Sequence, residues 1–219
     1  MEFESFPKIP RLNRDIVITE KIDGTNAAVL IELLPRYAED DGPGDKVQVG
    51  DDWFLVAAQS RNRLITPGKS TDNFGFAGWV RDNAEALVDL LGPGRHFGEW
   101  WGSGIARGYG VPKDVRRFSL FNPARYPHIV EANNHLESGE PLIRTVPVLY
   151  EGPFRPQVAD ADEPDPIQEA LWQLRQLGSE AAPGFMKPEG IIIFHTAARQ
   201  LFKVTLENDE APKLSLIHI

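Results

Sequence analysis

The chain has 219 residues, of which 42% are hydrophobic and 25% are charged, and its formal net charge at pH 7 is −9. This length is typical of one large globular domain with a substantial core. Because the sequence has no cysteine, disulfides and thiolate metal sites are excluded. The negative charge argues against a protein that coats nucleic-acid phosphates without specificity. Neither a signal-peptide pattern nor an apolar run of membrane-spanning length is present, so we expect a cytoplasmic protein without membrane contact.

Two predicted strands, at 16–18 and 27–34, flank the sequence Glu-Lys-Ile-Asp-Gly-Thr-Asn at residues 20–26. Lys21 is therefore expected at a strand end or in a loop between two core strands. A lysine held beside an apolar wall can lose part of its hydration and expose an amine that serves as a nucleophile. The same residues also fit a surface lysine in a hairpin whose Asp-Gly pair only makes the turn.

The rest of the chain predicts more strands than helices. Residues 35–52 are acidic and rich in glycine and proline, which indicates a loop, and apolar residues recur at helical spacing over 74–91 and 167–177. Further strands are predicted at 53–58, 96–101, 117–121, 146–150, 189–194 and 200–206, the last two as a hairpin. Strands with irregularly interspersed helices predict an α+β fold with antiparallel sheets.

Five segments place a charged or aromatic residue inside or at the end of a predicted core strand: Ser60-Arg61, Phe97-Gly98-Glu99, Phe118-Ser119-Leu120-Phe121, Glu189-Gly190 and Phe202-Lys203. A carboxylate or an ammonium group inside an apolar strand is costly unless it has a partner or a ligand. Glu99 and Lys203 are the clearest cases. A buried Glu–Lys pair with a purely structural role would explain one such residue, but five in series favour a functional site.

The order of the motifs Glu-Lys-x-Asp-Gly-Thr-Asn, Ser-Arg, Phe-Gly-Glu, Phe-x-x-Phe, Glu-Gly and a strand lysine resembles the covalent nucleotidyltransferase superfamily. Within it, the chain most resembles ATP-dependent RNA ligases of the phage RNA ligase 2 type, over residues 6–209. The resemblance implies an α+β nucleotidyltransferase (ATP-grasp-like) domain with antiparallel sheets flanked by helices. We assign residues 1–213 to this adenylylation domain, with no C-terminal RNA-binding domain evident. Residues 214–219 fit either a final strand or a truncated or non-native tail.

The resemblance also implies a reaction. Lys21 would attack the α-phosphate of ATP, expel pyrophosphate and hold AMP as a lysyl phosphoramidate. AMP would then pass to an RNA 5′-phosphate, and a 3′-hydroxyl would displace it to seal the strand. The implied cofactors are ATP and Mg²⁺, with Mn²⁺ as an alternative, and the implied partners are RNA ends or a nicked duplex in RNA repair. The sequence does not indicate an oligomeric state.

Catalytic roles are implied for Lys21, Asp23 and Lys203, the last neutralising charge on the α-phosphate. The full set of implied nucleotide contacts is Glu20, Lys21, Asn26, Arg61, Glu99, Phe121, Glu189 and Lys203. Among these, Glu20 would help to seat the adenine, partly through its backbone, and Glu99 would accept hydrogen bonds from the ribose. Phe121 would stack on the base. Asp23 and Glu189 would hold the metal, in part through water.

Two positions depart from the family pattern. Thr205 stands where a second lysine is usual, and Asn122 stands where an aspartate is common. A hydroxyl cannot replace a cation, so another residue, for which Lys213 is a candidate, would have to supply the charge. The alternatives are a DNA ligase or a guanylyltransferase of the same superfamily, and a non-catalytic nucleotide- or nucleic-acid-binding module with this fold.

Overall fold

The computed structural model describes residues 2–35, 43–134, 141–155 and 165–207. In chain order its strands are β1 (Asp15–Lys21), β2 (Thr25–Leu34), β3 (Asp45–Val49), β4 (Asp52–Ser60), β5 (Leu64–Ile65), β6 (Gly94–Gly102), β7 (Arg116–Leu120), β8 (Arg144–Thr145), β9 (Val148–Pro153), β10 (Gly190–His195) and β11 (Gln200–Thr205). Its helices are α1 (Phe76–Asp82), α2 (Ala84–Leu91), α3 (Pro127–Asn134) and α4 (Pro166–Leu177), with a 3₁₀ turn at Pro123–Arg125. The strands pair antiparallel, apart from the parallel pair β7–β8. The predicted α+β class is confirmed.

The chain divides into two compact units. The terminal unit comprises Met1–Ile22 and Pro147–Ile219, and the central unit comprises Asp23–Val146. The assignment of one adenylylation domain to residues 1–213 stays a prediction, and the proposed tail at 214–219 lies outside the described residues. Within the described part of the chain, no helix is long and apolar enough to cross a membrane.

The terminal unit is a four-stranded antiparallel sheet in the order β11-β10-β1-β9, with α4 packed on one face. Its buried core consists of Ile16, Ile18, Ala170, Leu171, Leu174, Ile191 and Ile193. Helix α4 begins where the Asp165 carboxylate accepts a hydrogen bond from the amide of Ile167 (2.8 Å). It ends before Gly178, whose φ of 83° lets the chain leave the helix. Because side chains alternate along a strand, every second residue of β1 faces away from α4.

The central unit is a sheet in the order β3-β4-β2-β6-β7-β8, with β5 paired to β4. An aromatic cluster of Phe76, Trp79, Trp100 and Phe118, with ring centroids 5.1 to 5.8 Å apart, joins α1 to the sheet. Trp100 and Phe118 are directly opposite each other on β6 and β7. The helix-facing side of these two strands is therefore apolar, and their alternate residues, which include Glu99, lie on the other side.

Two predicted elements were wrong. The single helix predicted over 74–91 is two helices, because the side-chain amide of Asn83 donates a hydrogen bond to the carbonyl of Trp79 (2.7 Å) and ends the first of them. The predicted loop at 35–52 contains strand β3, which pairs with β4 across a turn at Gly50, where φ is 61°. Residues 36–42 of that predicted loop lie outside the described residues. The predicted hairpin at 189–194 and 200–206 is confirmed as β10–β11.

Candidate active site

Lys21, the candidate nucleophile, lies on the face of the terminal-unit sheet opposite α4. Two rows of residues run across β1, β10 and β11. One row is Lys21, Gly190 and Thr205, and the other is Thr19, Ile192 and Lys203. Residues that are directly opposite in antiparallel strands project from the same face. Lys21, Lys203 and Thr205 therefore share one face, as an active site containing both lysines requires.

Glu189 holds the amine of Lys21. Lys21 Nζ lies 2.5 Å from Glu189 Oε2, and the two side chains are 20% and 14% exposed. The following residue, Gly190, has a φ of 155°, and a Cβ there would lie 2.1 Å from the carbonyl oxygen of Val204. Only glycine fits at that position, so the Glu-Gly motif places a carboxylate at the strand start beside the lysine. Sequence analysis singled out both members of this pair, but not their contact.

The exposure of Lys203 differs from what the sequence predicted. We expected it inside an apolar core strand, where its charge would need a partner, but its side chain is exposed. The reason is topological, because β11 is the edge strand of the sheet. Neighbouring Leu201 and Phe202 are also exposed, at 68% and 55%. The burial argument for Lys203 was therefore wrong, although its position on the same face as Lys21 agrees with the role that the resemblance implied.

The side chain of Glu20 faces away from Lys21 and is 1% exposed. Its carboxylate accepts hydrogen bonds from the Ser179 hydroxyl (2.5 Å) and from the amides of Glu180 and Ala181 (2.9 Å each). Burial raises the pKa of the Glu20 carboxyl, although these three hydrogen bonds oppose the shift. This carboxylate is committed to the loop after α4, so a nucleotide contact by Glu20 stays a prediction for its backbone alone.

In the central unit, the Asp-Gly pair of the lysine motif is held at three points. The Asp23 amide donates to the Tyr109 hydroxyl oxygen (2.8 Å), and Arg107 Nε lies 3.2 Å from Asp23 Oδ2. The Gly24 amide donates to Glu99 Oε1 (3.1 Å). A Cβ on Gly24 would lie 2.5 Å from the carbonyl oxygen of Trp100, so this position also requires glycine.

Arg107 and Tyr109 are functional candidates that sequence reasoning missed. They belong to the glycine-rich segment that follows β6, and they lie 84 and 86 residues from Asp23 along the chain. The available signal was a run of closely spaced glycines directly after the Phe-Gly-Glu motif. Such a run predicts an irregular loop, but it does not predict which distant residue the loop contacts.

The remaining candidates of the central unit lie at three places. Asn26 on β2 is directly opposite Glu99 on β6, so these two side chains share the sheet face away from the aromatic cluster. Phe121 follows the end of β7, is half-buried, and donates its amide to the carbonyl of Phe97 (2.9 Å). Arg61 is exposed in the turn between β4 and β5. Their roles in nucleotide binding stay predictions.

Metal binding by Asp23 and Glu189 also stays a prediction. Among the residues that the structure describes, no group of three or more acidic or histidine side chains could hold a metal ion. Each of the two carboxylates has a cationic partner within its own unit, Arg107 for Asp23 and Lys21 for Glu189. Carboxylate oxygens are suitable donors for Mg²⁺, which commonly binds through one or two of them and retains several waters.

The chain is similar in structure to solved RNA ligases. A lysine mutant of Naegleria gruberi RNA ligase with ATP and Mn superposes with a TM-score of 0.50 at 15% identity, over 87% of this chain and 49% of that chain. An apo lysine mutant gives a TM-score of 0.49 at 17% identity, and the enzyme with PPi gives 0.48 at 17%, with the same coverages. At 15% identity the first match shows the fold alone, which agrees with the predicted α+β class. This chain spans about half the length of these ligases.

The RNA ligase family model matches residues 14–205, which is most of the chain. The chain therefore belongs to the RNA ligase family, and the family resemblance noted from its motifs is confirmed. No curated protein sequence matches it.

Proposed function

We propose that this chain is an ATP-dependent RNA ligase of the phage RNA ligase 2 type that forms a covalent lysyl-AMP intermediate on Lys21. The observation that carries the proposal is the contact between Lys21 and Glu189 on one sheet face, in a chain of the RNA ligase family. Structures of the Naegleria RNA ligase have been solved with ATP and Mn, with AMP and Mn, and with PPi. These are the substrate, the transferred group, the leaving group and a metal of the proposed reaction.

The first step is nucleophilic substitution at the α-phosphorus of ATP. Lys21 Nζ must lose a proton before it attacks, and the Glu189 carboxylate at 2.5 Å can accept that proton. The new bond joins Nζ to phosphorus, and the bond from the α-phosphorus to the bridging oxygen breaks. Pyrophosphate leaves with the bonding electron pair. In this scheme Glu189 first orients the ammonium group and then releases a neutral amine.

Charge on the phosphates requires cations, and Lys203 can supply one. Its side chain is exposed on the same sheet face as Lys21, so it can move toward a phosphate without breaking a buried contact. Thr205 lies in register with Lys21 but carries only a hydroxyl, which donates to the Glu207 carbonyl (2.9 Å). Lys213, the substitute suggested by the sequence, lies outside the described residues. We therefore propose that Lys203 contacts the α-phosphate. Arg61 would contact other phosphate oxygens or the RNA ends.

Nucleoside recognition is proposed for the central unit. Glu99 would accept hydrogen bonds from the ribose, Phe121 would stack on the adenine, and Asn26, directly opposite Glu99, would contact the nucleotide. Mg²⁺ or Mn²⁺ would lower the negative charge on the phosphates when bound, with Asp23 and Glu189 as its protein ligands, in part through water.

The later steps follow from the same chemistry. AMP would pass from Lys21 to an RNA 5′-phosphate, and an RNA 3′-hydroxyl would then attack that phosphate and release AMP. RNA ends or a nicked duplex are therefore the proposed partners, and RNA repair in the cytoplasm is the proposed process. The 2′-hydroxyl is the group by which such a site would distinguish RNA from DNA.

The proposal is tested by incubation with α-labelled ATP and Mg²⁺ or Mn²⁺, followed by a denaturing gel. Wild type should give a labelled protein band, Lys21→Ala should give none, and the exposed control Lys69→Ala should keep it. A band that survives in Lys21→Ala would remove Lys21 from its role. A band with GTP alone would indicate a guanylyltransferase, and no band with any nucleotide on folded protein would indicate a binding module.

The acceptor is tested separately by adding nucleic acid to the labelled protein. Nicked RNA duplexes with a 5′-phosphate should remove the label faster than the matched nicked DNA duplex. A faster reaction with DNA would contradict the RNA assignment and favour a DNA ligase.

A further inference from the structure

The loop of residues 102–110 has an unusual backbone. Positive φ values occur at six of its nine residues: Gly102, Gly104, Ala106, Gly108, Tyr109 and Gly110. Ala106 and Tyr109 are not glycine, and their φ values are 43° and 51°. Non-glycine residues in this region cost about 1 to 3 kcal/mol each, and they persist only where the surrounding structure holds them. The buried side chains of Ile105 and Tyr109, each 2% exposed, provide that hold.

The loop contacts both the backbone amide and the side-chain carboxylate of Asp23. The Tyr109 ring packs edge-on against Trp101, with centroids 5.2 Å apart, and its oxygen accepts the Asp23 amide hydrogen bond (2.8 Å). Two residues earlier in the loop, Arg107 Nε lies 3.2 Å from Asp23 Oδ2. Asp23 follows the candidate nucleophile Lys21 by two positions in the chain.

The ion pair between Arg107 and Asp23 adds little stability of its own. The side chains of Arg107 and Asp23 are 27% and 32% exposed, and a partly exposed ion pair contributes only about 0 to 1 kcal/mol. The buried side chains of Ile105 and Tyr109 hold the strained backbone instead. The ion pair therefore fixes the orientation of the Asp23 carboxylate more than it stabilises the fold, and strained backbone is common at functional sites.

We propose that Arg107 and Tyr109 are positioning residues for adenylylation, which act by fixing the carboxylate and the amide of Asp23. This inference rests on the proposed function. Tyr109 sets the backbone at the turn after the nucleophile, and Arg107 holds the carboxylate in one orientation. Neither residue is assigned a contact with the reacting atoms.

The geometric part is tested without nucleotide, by amide hydrogen exchange. Tyr109→Phe keeps the ring and its packing on Trp101 but removes the acceptor of the Asp23 amide. Exchange at Asp23 should become at least about tenfold faster. The control Tyr150→Phe, which removes a hydroxyl bonded to the Pro153 carbonyl, should leave it unchanged. Unchanged exchange at Asp23 in Tyr109→Phe would overturn the proposal.

The catalytic part is tested by the rate of lysyl-AMP formation in a single turnover. Arg107→Ala should lower the rate at saturating ATP by about 100-fold, since small misplacements in a reacting site cost that much. The ATP concentration for half-maximal rate should stay unchanged. Arg107→Lys, or low concentrations of free guanidinium ion added to Arg107→Ala, should restore part of the rate. A change in ATP affinity with an unchanged rate would overturn the proposal.

A double variant shows whether Arg107 acts through Asp23. In an Asp23→Asn background, Arg107→Ala should cause no further loss, because the group that it orients has already been changed. A further loss of the same factor would mean that Arg107 acts independently, which contradicts the proposal. Unlabelled wild type would overturn the proposed function itself, whereas labelled wild type with unaffected loop variants would overturn only this inference.

Discussion

Two glutamates of the terminal unit have opposite environments. Glu20 is 1% exposed, and its oxygens accept hydrogen bonds from one hydroxyl and two amides of the loop after α4. Glu189 has a side chain 14% exposed, and its partner is the amine of Lys21. The first carboxylate is therefore held by fixed groups of the scaffold. The second is held by the group that we propose reacts, so its contact changes when the reaction begins.

The central unit contains a similar pair of aromatic residues. Phe118 is 1% exposed and packs against Phe76 and Trp79. Phe121, three residues later, lies beyond the end of the strand and is half-buried. In both units one residue of a given type is buried among fixed groups of the protein, and another of the same type is more exposed. The alternation of strand faces and the position of the strand ends decide which of the two residues is buried.

Among variants that keep Lys21, the largest expected effect concerns Glu189. Glu189→Gln should slow lysyl-AMP formation by about 100- to 1000-fold, because the amide neither holds the ammonium of Lys21 by charge nor accepts its proton. The exposed control Glu151→Gln on β9 should have no effect. The measurement is the single-turnover labelling rate, and an unaffected rate in Glu189→Gln would remove the difference drawn between the two glutamates.

The next largest effects are expected from replacing Phe121 and Phe118. Phe121→Ala should raise the ATP concentration needed for half-maximal labelling by about tenfold to a hundredfold, since stacking on a base contributes about 1 to 3 kcal/mol. Phe118→Ala should instead lower the free energy of unfolding by about 3 to 5 kcal/mol, because it leaves a cavity in the aromatic cluster. Labelling at varied ATP and urea unfolding measure the two outcomes. An unchanged ATP requirement in Phe121→Ala would contradict the stacking assignment.

The smallest expected effect is on the pH dependence of the free energy of unfolding. Burial raises the pKa of Glu20 in the folded protein, so Glu20 contributes more stability at low pH. That contribution is lost as the pH rises from the ordinary value of 4.5 through the raised folded value. Glu180, close to Glu20, adds to the upward shift. Wild type should therefore lose stability relative to Glu20→Gln as the pH rises, measured by urea unfolding. A parallel pH dependence in the two proteins would contradict this account.

The sequence predicted the local parts of the site well. The alternation at 16–18 and the following Gly24 placed Lys21 near a strand end, and it is the last residue of β1. The apolar run after Glu189 predicted a strand there, and that carboxylate directly precedes β10. Both predictions depend on near neighbours in the chain, which is the range over which strand periodicity and glycine conformation are informative.

The remaining features depend on long-range pairing. Ser179 lies 159 residues from Glu20, and no local pattern predicts that these two residues meet. The exposure of Lys203 follows from the edge position of β11, which the composition of the strand does not reveal. The contacts of Arg107 and Tyr109 with Asp23 depend in the same way on how the loop folds back.

The most direct test applies two assays to two adjacent positions. Lys21→Ala should lose all labelling by α-labelled ATP and remain folded, although loss of the partner of the largely buried Glu189 carboxylate should lower its free energy of unfolding by about 1 to 3 kcal/mol. Glu20→Ala should lose about 1 to 3 kcal/mol of stability, because it leaves three donors unsatisfied, yet its folded fraction should still be labelled. Labelling that survives in Lys21→Ala would contradict the account. So would a Glu20→Ala protein of unchanged stability that cannot be labelled.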